Sequence, residues 1–61
     1  MNKLPLGDAA MLASAINVHL RDGMYEDLED LCYDFDVELS EVEKALAAGG
    51  FAYSKEMNKI R

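Results

Sequence analysis

Apolar residues recur along this chain with helical spacing, and glycine, aspartate or proline breaks the rhythm between the runs. Leu12, Ala15, Ile16, His19 and Leu20 fall at i, i+3, i+4, i+7 and i+8, which lays one apolar stripe along a helix. Asp8 can accept the free amides of its first turn, and Gly23 offers a left-handed stop. The first helix, cap included, is therefore predicted over residues 8–22, after an extended or turning lead-in over 1–7 that contains Pro5 and Gly7. Leu28, Leu31, Cys32 and Phe35 repeat the pattern and predict a second helix over 26–34, with Glu26 and Asp27 at the positive end of its dipole. Phe35 to Glu38 then makes a short connection in which Asp36 accepts a turn conformation and Val37 plugs the corner. Leu39, Val42, Ala45 and Leu46 predict a third helix over 39–48. Ser40 and Glu43 have the spacing of a capping box, and Gly49-Gly50 closes the helix.

Residues 51–60 alternate only weakly. Phe51 and Tyr53, then Ser54-Lys55-Glu56, then Met57 to Ile60 read first as a small β-hairpin, and alternatively as a final helical turn from Lys55 to Ile60. The expected architecture is thus a mainly α, three-helix, helix-turn-helix-like core with a short C-terminal hairpin or helical turn. With 61 residues it forms one domain, residues 1–61, whose core is small enough to gain from a partner or from self-association. The apolar share of 51% is that of an ordinary folding chain, and no stretch approaches the about 20 apolar residues a membrane span needs. Lys3 and the small residues up to Ala13-Ser14-Ala15 loosely imitate a secretory signal. Asp8 interrupts that imitation, and cleavage would delete the best helix, so a cytoplasmic protein is expected.

Charge sharpens the picture more than composition does. From Asp22 to Glu43 there are ten carboxylates and no Lys or Arg, whereas Lys44, Lys55, Lys59 and Arg61 face Glu56 alone in the last stretch. The acidic middle repels phosphate and favours basic partners, and the basic end is the part that could approach an anion. In a helix-turn-helix reading the third helix would enter the major groove, yet its exposed early positions are Glu38, Ser40, Glu41 and Glu43. These carboxylates argue against sequence-specific DNA binding, because base readout draws on Arg, Lys, Asn or Gln.

The residues with neutral-range acid-base or thiolate chemistry are His19 and Cys32, and both lie on faces claimed by the core. No catalytic site, cofactor site or metal site is expected. Asp34-x-Asp36-x-Glu38 imitates the start of a calcium loop, but Leu39 stands where the sharp turn requires Gly and Ala45 where a bidentate Glu must close the site. A single cysteine forms no internal disulfide, which fits a reducing compartment.

Leu4-Pro5, Asp8, Met11-Leu12, Ser14, Asn17 and Leu20-Arg21-Asp22, followed by Leu28, Leu31-Cys32, Val37, Leu46, Gly50, Tyr53 and Asn58, carry a resemblance over nearly the whole chain. In that order they resemble the bacterial family of small proteins called domain of unknown function 4250. The chain departs from the pattern at Ala9, where a helix-starting Pro is expected, in a longer connection around Met24-Tyr25, and in a more basic end. The resemblance implies a bacterial, cytosolic origin and no particular activity. It also singles out Asn17, Arg21, Asp22, Tyr53 and Asn58 as polar motif positions, either a structural clasp between the C-terminal segment and the first helix or a partner-contacting patch. The function expected is a non-catalytic protein-interaction module whose acidic face, with Glu38, Glu41 and Glu43, meets another protein or a second copy. The alternative is a nucleic-acid-associated regulator that contacts phosphate through the basic tail.

Overall fold

Asp8 starts helix α1, which runs Ala9–Arg21: its backbone is extended and its carboxylate accepts from the Met11 amide at 3.1 Å. The computed structural model describes residues 4–61, so the first three residues of the predicted lead-in lie outside it. Residues 4–8 form a tight turn in which Asp8 N–H donates to the Pro5 carbonyl. Leu12, Ile16 and Leu20 are buried as the stripe predicts, and Ala13 is buried with them. The apolar arc is wider than one stripe because α1 packs against both other helices and the C-terminal hairpin. Asp22 caps α1, and Gly23 (φ +76) donates its amide to the Leu20 carbonyl.

Helix α2, Leu28–Asp34, begins two residues later than the periodicity predicts. Asp27 is its N-cap and accepts from the Asp30 amide at 2.9 Å, while the Asp30 carboxylate accepts from the Glu26 amide at 3.1 Å. These two carboxylates take up amides at the helix start and hold Glu26 outside the helix, where its charge still faces the positive end of the dipole. At the other end Asp36 stands at φ +57, and Val37 N–H reaches back to the Cys32 carbonyl at 3.0 Å. This closing turn leaves Val37 against the core.

Helix α3, Leu39–Ala48, corrects the expected capping box. Its N-cap is Glu38, with no side-chain cap bond, so Ser40 lies inside the first turn and cannot cap it. Glu38 emerges extended from the turn, and Leu39, which packs on the core, is already helical. Gly50 (φ +82) then ends the helix, with Gly50 N–H donating to Ala47 and Phe51 N–H to Leu46. Gly49 answers a different need. A Cβ there would collide with that of Ala9 and lie 3.2 Å from the Phe51 ring, so the end of α3 meets the start of α1 where only hydrogen fits.

The C-terminal segment is a hairpin. Strands β1 (Tyr53–Ser54) and β2 (Lys59–Ile60) pair antiparallel in the register Tyr53↔Ile60 and Ser54↔Lys59. Ala52 and Arg61 exchange both backbone hydrogen bonds beyond them, and Asn58 takes φ +54 in the turn. Ile60 is buried with the residues of α1, with Leu28, Leu31 and Cys32 of α2, and with Val42 and Leu46 of α3. A two-stranded hairpin is marginal alone in water, so this one depends on its attachment to the helices.

Candidate functional site

The attachment is made by polar residues that the family motif singles out. In an antiparallel ladder, residues beside a mutually bonded pair turn their N–H and C=O outward. Ile60, next to the Ala52–Arg61 pair, therefore points both groups away from β1 and toward α1. There Asn17 takes them both: its Oδ1 accepts from Ile60 N–H at 2.7 Å and its Nδ2 donates to the Ile60 carbonyl at 3.1 Å. Asn58 makes a second tie, accepting the Tyr53 hydroxyl at 2.7 Å and donating to the Glu26 carbonyl at 3.0 Å. Asn17, Tyr53 and Asn58 thus fix the hairpin to α1 and to the segment before α2. Arg21 and Asp22 are exposed at the end of α1 and take no part in these bonds.

His19 and Cys32 are occupied by packing. The imidazole meets Phe35 edge-on at 5.4 Å and Tyr25 at 6.0 Å, an aromatic cluster of which the stripe shows only His19 and Phe35. The third member is held by its own bond, since the Tyr25 hydroxyl donates to Asp34 at 2.7 Å. That bond, with burial and the charges of Asp34 and Asp30, raises the phenol above its ordinary range. Cys32 is 2% exposed. Burial, helped by the charges of Glu43 and Glu29, pushes its thiol up to about 11.

Two consequences of that shift are measurable. A thiol reagent should label Cys32 slowly in the folded protein and fast in denaturant, and equal rates would contradict the assignment. Between the ordinary thiol value of 9.0 and about 11 the unfolded chain holds fewer protons than the folded one. The contribution is therefore complete below pH 9.0 and lost as pH rises through about 11, so melting temperature should fall over that window, less steeply in Cys32→Ala.

The acidic residues line two clefts across α2 and α3. The larger is a groove of about 750 Å³ along the α2–α3 corner, where Glu29, Asp34, Asp36, Glu38 and Glu41 surround Cys32, Val37 and Leu39. Tyr33 stands at its edge, 87% exposed and free of the core. The smaller cleft, about 290 Å³, lies between α2, α3 and β1, lined by Leu28, Leu39 and Tyr53 with Asp27, Glu29, Glu43 and Lys55. Glu29 and Leu39 line both. Of the predicted acidic face, Glu38 and Glu41 belong to the groove and Glu43 to the smaller cleft. Sequence reasoning missed Glu29, Asp34, Asp36 and Tyr33 as parts of one surface. The signal available was a tyrosine placed off the apolar stripe of α2, within the run of carboxylates.

Residues 7–60 match the family model described as a domain of unknown function (DUF4250). The chain belongs to this family. The match includes every residue of the clasp and of both clefts. No curated protein and no solved structure matches the chain.

Proposed function

We infer that the protein is a non-catalytic interaction module that binds a cationic segment of a partner protein along the α2–α3 groove. The observation that carries this reading is the lining itself: five carboxylates and an exposed tyrosine around an apolar floor, with no Lys or Arg among them. Such a surface suits Lys or Arg side chains, whose stems cover apolar surface while their heads meet carboxylate and aromatic faces. The carboxylates are strung along the groove. Among the described residues no three His, Cys, Asp or Glu side chains gather as a metal-holding group, which favours a chain of cations over one divalent ion. Among the same residues no helix is long and apolar enough to cross a membrane. A cytoplasmic setting goes with this reading, as does the single buried thiol.

The test separates the groove from net charge. A fluorescent Lys/Arg-rich peptide is titrated into the unmodified protein, into Glu38→Lys/Glu41→Lys, and into Asp22→Lys/Glu56→Lys, which changes the net charge equally away from the groove. The groove variant should weaken binding by at least about tenfold, equivalent to about 1.4 kcal/mol, while the other stays near the unmodified value. Equal losses in both would reduce the effect to overall charge and reject the reading. Retention by a duplex nucleic acid, abolished by Lys55→Glu/Lys59→Glu, would favour the basic end instead.

A further inference from the structure

We propose that the free edge of β1 docks a second copy of this chain, which lays its own β1 antiparallel about Tyr53 and joins the two hairpins into one four-stranded sheet. The hairpin has two unlike edges. On β2 the outward N–H and C=O of Ile60 are both taken by Asn17. On β1 the equivalent pair belongs to Tyr53, which stands opposite Ile60 and beside the mutually bonded Ala52 and Arg61. The neighbouring trans peptides add the Phe51 C=O and the Lys55 N–H to the same edge, because the Ala52 N–H and, in the next bonded pair, the Ser54 C=O point at β2. Among the described residues none of these four groups has a hydrogen-bond partner in the chain, and no helix packs along β1 as α1 packs along β2. An open edge of this kind is a template for another strand.

The order of the four groups points to the occupant. From Phe51 to Lys55 they run acceptor, donor, acceptor, donor, a pattern that becomes its own complement when turned by a twofold axis. A second β1 centred on Tyr53 therefore exchanges both bonds between the two Tyr53 residues, and each Lys55 N–H meets the Phe51 C=O of the other copy. Charge fits the same register. Helix α3 has no basic residue in its last turn and ends just before Phe51, whose N–H still donates to Leu46, so each Lys55 arrives at the negative end of the other copy's α3. The formal charge of -6 on each copy opposes approach at long range, so salt should tighten this contact. The shared edge is short, which makes the dimer weak and concentration-dependent.

Sedimentation equilibrium at protein concentrations up to about 1 mM, in low salt and in about 0.5 M salt, tests this. The unmodified chain should pass from one copy to two, and more completely in high salt. A synthetic chain N-methylated on the Tyr53 backbone nitrogen keeps every side chain and every bond within the hairpin, and should stay monomeric with an unchanged circular dichroism spectrum. In high salt Lys55→Glu should weaken the dimer about fivefold or more, whereas Lys59→Glu, the same charge change on the other strand, should leave it near the unmodified value. A monomer at every concentration would overturn the proposal, and so would a dimer that survives N-methylation. A dimer that salt dissociates would overturn it as well, by placing the basic tail of one copy in the acidic groove of the next. Should the N-methylated chain lose its fold, the lysine pair decides: equal losses in Lys55→Glu and Lys59→Glu would contradict the register.

Discussion

Truncating Leu31 to alanine is expected to cost about 2–5 kcal/mol and to leave a large part of the protein unfolded near physiological temperature. Leu31 is fully buried at 0% exposure in the middle of α2. A helix of 7 residues has almost no stability of its own, because nucleation costs more than so few turns return, so α2 persists by packing. At roughly 0.05–0.15 kcal/mol per residue, the whole domain is worth about 3–9 kcal/mol. The substitution thus removes about half of what holds it, and for a domain of this size, at about 8 °C per kcal/mol, the melting temperature should fall by about 15–40 °C. Tyr33, two positions on and 87% exposed, provides the contrast. Tyr33→Ala should change stability by no more than about 0.5 kcal/mol while weakening the basic peptide. Circular dichroism melts of the two variants check the pair, and a large loss in Tyr33→Ala would show that the tyrosine serves the fold.

Asn17→Ala is the second large effect, expected at about 2–3 kcal/mol, because it leaves both outward groups of Ile60 without their partner. Most of the loss should appear locally. The Ile60 amide, protected in the unmodified protein, should exchange with solvent far faster, and the hairpin should loosen before the helices melt. Asn17→Asp discriminates further. Its carboxylate can still accept from Ile60 N–H but faces the Ile60 carbonyl with negative charge, so it should destabilise at neutral pH and recover in part when acid protonates it into a donor. Identical losses in the alanine and aspartate variants at every pH would mean that Asn17 contributes packing and not this paired bond.

The three helices were legible because their buried stripes are local. Leu12, Ile16 and Leu20, then Leu28, Leu31 and Cys32, then Val42 and Leu46 all follow helical spacing and all are buried. Helix starts were less so, since they depend on which carboxylate captures which amide. Asp27 and Asp30 together exclude Glu26 from α2, and Glu38 takes the cap that Ser40 seemed placed to provide. The choice between hairpin and helical turn was not decidable from two apolar residues per arm. It turns on Asn17, 43 positions away in sequence, whose amide satisfies the outward edge of β2. Asn17, Tyr53 and Asn58 were identifiable as polar motif positions, but which backbone group each one holds is a property of the folded chain. The acidic run was equally plain, whereas its conversion into two clefts needs the α2–α3 corner and the hairpin in place.

The central claim is that this corner binds cations along its length, and amide chemical-shift mapping tests it most directly. Isotope-labelled protein is titrated with the Lys/Arg-rich peptide. Saturable shifts should concentrate at Glu29, Tyr33, Asp36, Leu39 and Glu41, with the outer face of α1 around Met11 and Val18 unmoved. Shifts spread evenly over all exposed carboxylates without saturation, or confined to Lys55–Arg61, would contradict it.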